Sequence, residues 1–214
     1  MTMPRITSIE PQKRGGRVTI FADGVPWIAA AEAAVLECGL RRGDQATPEL
    51  RERLEELDAR HRAHEAALLL LSYRQRSEDE LRQRLRRKAI PEGAVEDAIE
   101  RLRRAGLIDD AGFARAWVES RTSGPVGFGR RRIQAELRRK GVAAEVVAQA
   151  LGEQDEDERA LAAALARAPT LRGLEYNDFR RRLAGFLQRR GFGYEAITRA
   201  VREAWRACGA DEAD

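Results

Sequence analysis

One helix ending is written three times along this chain, as RLRRKAI at residues 84–90, ELRRKGV at 136–142 and FLQRRGF at 186–192. The agreement extends in both directions. Leu81, Ile133 and Leu183 share one column, and Leu85, Leu137 and Leu187, four residues on, share another on the same helix face. Lys88, Lys140 and Arg190 precede Ala89, Gly141 and Gly191, where a helix end needs a small residue that can turn left-handed; Ala89 is the poorer fit. Ile90, Val142 and Phe192 then return to the core. The next helix repeats Val95, Val147 and Ile197, then Ala98, Ala150 and Ala200, then Ile99, Leu151 and Val201. Upstream, each copy is expected to carry a further helix marked by Leu69 and Tyr73, Phe113 and Trp117, and Leu161 and Leu165. Three helices in about 50 residues, repeated in tandem, restrict the fold to small trihelical bundles that lean on their neighbours.

The chain before the first copy reads differently. ITSIE and RVTIFA alternate apolar with polar residues, QKRGG supplies a turn, and ADGVPWI adds an Asp-Gly turn and a short third strand. A meander this small is expected to dock on a helix. AAEAAVLECGL fits a short helix ended by Gly39. TPELRERLEELDARHRAHEAALLLLSYRQ begins with Thr47 as cap and Pro48 in the first turn; its polar middle predicts a break near Ala59. Ser77 and Glu80 form a capping box, Pro91 opens a helix that Gly106 ends, and Asp109 and Asp110 suit a helix start. TSGPVGFG reads as a loop and EQDEDE as an acidic link. The fold class is mainly α: three tandem three-helix-bundle repeats with a small N-terminal β-hairpin or meander extension. The expected divisions are 1–60 for the extension with its short helices, 61–108, 109–152 and 153–206 for the repeats, and 207–214 for a flexible tail.

The core columns are structural, so function is sought among the cations between them. Lys occurs only at 13, 88 and 140, and 36 of 39 cations are Arg. Arg forks bind carboxylates and phosphates in pairs of hydrogen bonds, although genome composition explains an Arg habit equally well. Residues 66–152 carry 18 basic and 12 acidic groups, whereas the segments on either side are each net −1. A basic face on the first two repeats is therefore the candidate contact surface.

Catalytic patterns are missing. His61 and His64, three apart in a charged helix, read as surface residues, and no acidic or thiol partner sits at an obvious spacing for a metal site. GPVGFG matches neither phosphate-cradling pattern and joins helices rather than a strand to a helix. The IDD triplet at 108–110 reads as capping. Cys38 and Cys208 make no framework and are expected to be reduced thiols in the cytoplasm. The longest aliphatic run, AALLLL at 66–71, is too short for a membrane span. An enzyme, a cofactor and a metal are not expected.

LLSYRQRSEDELRQRLRRKAI, LRRAGLIDDAGFARAWVESR, the Gly loop, RRRIQAELRRKGV and a diverged third copy together resemble the RecX regulatory protein family, over roughly residues 66–205. Ala89 departs from the Gly usual at its position. The resemblance implies a non-enzymatic protein, expected as a monomer, that binds the filament of the RecA recombinase on single-stranded DNA. It implies inhibition of ATP hydrolysis, strand exchange and co-protease activity, and so modulation of DNA repair and the SOS response. It points to Arg121, Arg130, Arg131, Arg132, Arg138, Arg139 and Lys140 of the second repeat as contacts. Arg76, Arg82, Arg86 and Lys88 of the first come next.

Two other readings compete. A trihelical unit with a basic helix could bind single- or double-stranded DNA without RecA, with a steep salt dependence. Against base readout, Asn177 is the only Asn in the chain. A plain helical scaffold whose Arg residues carry no function is the third.

Overall fold

A computed structural model describes residues 3–13, 15–124, 126–152 and 155–209. Three antiparallel strands are followed by ten α-helices among the described residues. The chain divides into two compact units, Met1–Ile108 and Asp109–Asp214.

The first unit opens with the meander β1 (Ile6–Pro11), β2 (Arg17–Ala22) and β3 (Val25–Ala31), in that spatial order. Ile9 pairs with Ile20 and Ile20 with Ile28. The predicted Asp23-Gly24 turn has both residues at positive φ, 48° and 79°, as the tight hairpin demands. Val18, Ile20 and Ala22 point inward, against α1 (Glu32–Cys38) and the first half of α2 (Pro48–Tyr73). Thr47 caps α2 by accepting from the Leu50 amide at 3.2 Å. Asp58, only 7% exposed, fastens helix to sheet: it accepts from the Ala31 amide at 2.7 Å and from Arg17 at 2.9 Å.

Helix α2 corrects the expected break near Ala59. It runs unbroken for 26 residues because successive stretches bury into two different cores. Leu54 and Leu57 join the sheet core, whereas Ala59, Ala63 and Ala67 join the first three-helix core. The polar middle is held by pairs one turn apart, where Arg60 meets Glu56 at 2.8 Å and Arg62 reaches the buried Asp58 at 3.1 Å.

Three three-helix units follow. The first uses the end of α2 with α3 (Glu78–Arg86) and α4 (Glu92–Arg104). The second is α5 (Asp110–Thr122), α6 (Arg130–Arg139) and α7 (Ala144–Leu151). The third is α8 (Glu156–Arg167) with a 3-10 turn at Ala168–Leu171, then α9 (Tyr176–Arg189) and α10 (Tyr194–Gly209). Leu81, Ile133, Leu183, Leu85, Leu137 and Leu187 are all fully buried. Ala150 is the exception in the later columns, being only half-buried. Ala89, Gly141 and Gly191 all adopt positive φ, at 55°, 75° and 84°. At the second and third endings Val142 donates to the Leu137 carbonyl at 3.2 Å and Phe192 to that of Leu187 at 3.3 Å, closing the helix as the repeated motif predicts.

The upstream columns need correction. Leu69 and Tyr73 are 56% and 75% exposed, and Leu165 is exposed too. Phe113 is buried as expected, and Trp117 and Leu161 pack partly buried against their cores, but the rest of the inward face is built from smaller residues: Ala63 and Ala67, Ala114 with Val118, and Ala160 with Ala164. Close helix approach selects the small side chains and leaves the long ones on the flank. Ala207 and Cys208, expected in the tail, belong instead to α10; residues 210–214 lie outside the described residues, as do Pro125 of the loop and Glu153–Gln154 of the acidic link.

Candidate functional site

The first unit spends most of its arginines internally. Glu78, Asp79 and Glu80 fill the first turn of α3, where the helix dipole favours anions. Glu80 gathers Arg74, Arg76 and Arg84. Burial alone would raise the Glu80 carboxyl, but Arg74 and Arg76 hold it below the usual carboxylate range. Arg76 is 7% exposed and also donates to the Leu70 carbonyl at 3.0 Å, so it is a core strut. Arg82 bridges Glu96 at 2.8 Å and Glu78 at 3.3 Å. Arg86 grips Glu92. Lys88 and Arg87 stand exposed at the end of α3, with no carboxylate in ion-pair reach among the described residues.

The second unit is arranged around one glutamate and one tryptophan. Glu136 of α6 accepts from Arg121 at 2.9 Å, from Arg132 at 3.1 Å and from the Trp117 indole at 3.1 Å. Burial pushes its carboxyl up, yet these donors hold it below the usual range. The Trp117 ring is also covered by two cations: the Arg121 guanidinium lies 4.2 Å and the Lys140 ammonium 4.3 Å from its centroid. Arg121, Arg132 and Lys140 are thus part of the packing.

Arg130, Arg131, Arg138 and Arg139 behave differently: none has a carboxylate in ion-pair reach among the described residues. Arg130 is half-buried and donates to the Gly152 carbonyl at 2.8 Å. Arg139 donates only to the Ala135 carbonyl of its own helix, at 3.3 Å. The remaining three form a stripe, since Arg131, Arg138 and Arg139 stand at i, i+7 and i+8. They point away from Ile133 and Leu137 and are exposed. Such a row can pair with carboxylates or phosphates from outside.

Sequence reasoning missed what supports this helix. The Gly loop is stitched to the end of α9: the Gly129 amide donates to the Arg190 carbonyl at 2.8 Å and that of Arg131 to Gly191 at 3.1 Å. A Cβ on Gly129 would sit 2.3 Å from the Phe192 nitrogen, so only glycine allows the approach. Arg132 stacks 3.9 Å and Arg190 5.3 Å from the Phe128 ring. Burial, with Arg132 nearby, holds Arg190 below the usual guanidinium range. A glycine that precedes RRR without closing a helix was the available signal.

The histidines need a correction as well. His61 does have an acidic partner, Glu37 of α1 at 2.9 Å, brought by the fold rather than by spacing. Both His61 and His64 are half-buried rather than on the surface. Among the described residues no group of three or more His, Cys, Asp or Glu side chains could hold a metal, and no helix is long and apolar enough to cross a membrane.

Comparison with known proteins gives this geometry a context. The family models described as RecX first, second and third three-helix domains match residues 63–102, 109–151 and 154–201. The chain is 42% identical to "Regulatory protein RecX" of Amycolatopsis mediterranei (strain U-32) over 70% of this chain and 87% of that one. It is 38% identical to the protein of the same name from Streptomyces coelicolor, over 72% and 83%. A solved structure, "Crystal structure of regulatory protein RecX", superposes with a TM-score of 0.73 at 26% identity, covering 92% of this chain and 98% of that one. RecX from Lactobacillus salivarius, 24% identical over 69% of this chain and 97% of that one with a TM-score of 0.63, shares the fold. The chain belongs to the RecX family of regulatory proteins.

Proposed function

We propose that this chain is a cytoplasmic regulator that binds the RecA–single-stranded DNA filament and inhibits its ATPase, strand-exchange and co-protease activities. The three repeats, taken as 61–108, 109–152 and 153–206, act as linked contact modules, so that weak contacts on one chain reinforce each other. One observation carries the assignment of the surface: Arg131, Arg138 and Arg139 share an exposed face without carboxylate partners among the described residues, whereas most cations of α3 are ion-paired. Arg130 extends this surface, and Arg121, Arg132 and Lys140 support it from within; on the first unit, taken by itself, Lys88 and Arg87 are exposed cations without a carboxylate partner among the described residues, Arg76 is a core strut, and Arg82 and Arg86 would have to exchange Glu partners to become available.

The test is RecA's single-strand-dependent ATP hydrolysis. Substoichiometric protein slows it, and Arg131→Glu, Arg138→Glu and Arg139→Glu together abolish the slowing while leaving the helical content intact. Unslowed hydrolysis at equimolar protein sinks the reading. The exposed basic helix also supports a DNA-binding module that acts without RecA. That alternative requires binding to naked single- or double-stranded DNA that weakens steeply with salt.

A further inference from the structure

A groove of about 890 Å³ runs between α9 and α10 of the third unit. Its rim carries Arg131, Arg180, Arg181 and Arg202, against a single carboxylate, Asp178. Arg181 already holds Asp178 at 2.9 Å. Arg131, Arg180 and Arg202 have no carboxylate partner among the described residues, and all three are exposed. The floor is apolar, formed by Ala184 and Gly185 with Phe192, Ile197 and Val201.

Gly185 has no explanation in the fold. It sits inside α9 with an ordinary helical backbone, where glycine weakens a helix. No tight approach excuses it either: a Cβ there would meet only the far end of the Arg189 side chain, at 3.3 Å. What the missing side chain does is keep the groove open. Asn177 and Gln188 add amide groups to the lining, each able both to donate to and to accept from a peptide backbone.

We propose that this groove docks an acidic peptide segment of a partner protein, with aliphatic side chains on the floor and carboxylates on the arginine rim. Charge complementarity calls for an anion. The floor decides against a nucleic acid strand, which needs a succession of flat rings to stack on. Tyr176 and Tyr194 lie at the rim, and the Tyr176 ring is already engaged edge-on by Trp205 at 5.3 Å. The inference stands apart from the filament reading, with which it shares only Arg131.

The test is fluorescence anisotropy of the full chain with a labelled peptide of aspartate and glutamate carrying leucines one helical turn apart. The same peptide with serine for leucine and an oligothymidylate of equal charge serve as controls. The leucine peptide binds saturably and the serine peptide about tenfold or more weaker, reflecting the lost burial. Arg180→Ala and Arg202→Ala each weaken the leucine peptide about tenfold, as expected for charged hydrogen bonds. Gly185→Leu improves helix propensity yet fills the groove, and it abolishes peptide binding; if it fails to fold, the two arginine variants decide. Equal binding of both peptides, or arginine variants or a folded Gly185→Leu that bind as well as wild type, overturns the proposal. An oligothymidylate displaced by filling the groove, with the peptide unaffected, also overturns it.

Discussion

Gly129→Ala tests the junction between α6 and α9 most sharply. Backbone conformation does not exclude alanine, since φ is −75° and ψ 163°. The obstacle is contact: the new Cβ would lie 2.3 Å from the Phe192 nitrogen and 2.4 Å from the Gly191 carbonyl carbon and oxygen. Restoring ordinary separation moves the two backbones apart by roughly 1 Å, which takes a bond of 2.8 Å beyond hydrogen-bonding range. The Gly129 and Arg131 amides then lose partners, at about 1–3 kcal/mol each. Alanine for glycine at a helix N-cap adds a few tenths. Allowing for partial relaxation, the expected loss is about 3 kcal/mol, or roughly 6–12 °C in melting temperature for a chain of this length. Urea unfolding followed by circular dichroism and tryptophan fluorescence measures it. Gly93→Ala is the control, because Gly93 lies in α4 with nothing within 4 Å of its Cβ, and it should stabilise slightly. If Gly129→Ala costs no more than about 0.5 kcal/mol, the close approach is not what holds α6 to α9.

Three further outcomes follow from the packing. Leu137→Ala, at a fully buried column, costs about 2–5 kcal/mol, whereas Leu69→Ala on the exposed flank stays within about 0.5 kcal/mol; urea midpoints of the pair separate a true core column from a leucine that size and spacing alone mark as core. Asp58→Ala strips the Ala31 amide and Arg17 of their acceptor and lowers stability by about 2–4 kcal/mol by the same measure. His64 is held below its ordinary value of 6.5, by burial first and then by Arg101 and His61, with Asp97 and Glu65 opposing. The unfolded chain therefore takes up this proton at a higher pH than the folded one, so the folded form is fully favoured above about 6.5 and loses stability as pH falls below it. His64→Gln should flatten the stability profile between pH 6.5 and 5; an unchanged slope refutes this.

The repeat was legible because a helix ending combines two independent constraints, an apolar column and a small left-handed residue. Even Ala89, the poorer substitute, takes the required conformation at φ 55°. What failed was the register of the upstream helices. Leu69 and Tyr73 look like core by size and spacing, but a helix that approaches closely buries its alanines, and alanine carries little periodic signal. The unbroken α2 was hidden for a related reason, as one helix serving two cores shows neither face for long. At the candidate surface, sequence found the arginines without telling spent ones from available ones. Arg76 has Glu80 four residues on, as Arg132 has Glu136, yet only the fold shows that Arg76 is also buried against the Leu70 carbonyl.

The contrast between α3 and α6 shows why similar backbones present different surfaces. In α3 an acidic first turn complements the helix dipole and supplies partners one turn on, Glu78 for Arg82 and Glu80 for Arg84. In α6 that turn holds Arg130, Arg131 and Arg132 and no acid, an arrangement that the dipole alone disfavours by about 0.3–1 kcal/mol per charge. The opposing term comes from α9, whose last carbonyls face this end. Arg190 and Gly191 accept from its amides, and the Arg132 guanidinium reaches the Arg189 carbonyl at 3.5 Å. The negative pole of one helix thus meets the positive pole of the other; Glu156 also accepts from the Arg130 amide at 3.1 Å, and Arg132 is shared between the Arg189 carbonyl and Glu136, whereas Arg131 has no carboxylate in ion-pair reach among the described residues. Carbonyls offset the dipole without neutralising the guanidinium groups, so Arg131 keeps its full charge for an outside partner. An acidic first turn would have capped α6 equally well and closed the stripe with internal ion pairs, as it does in α3.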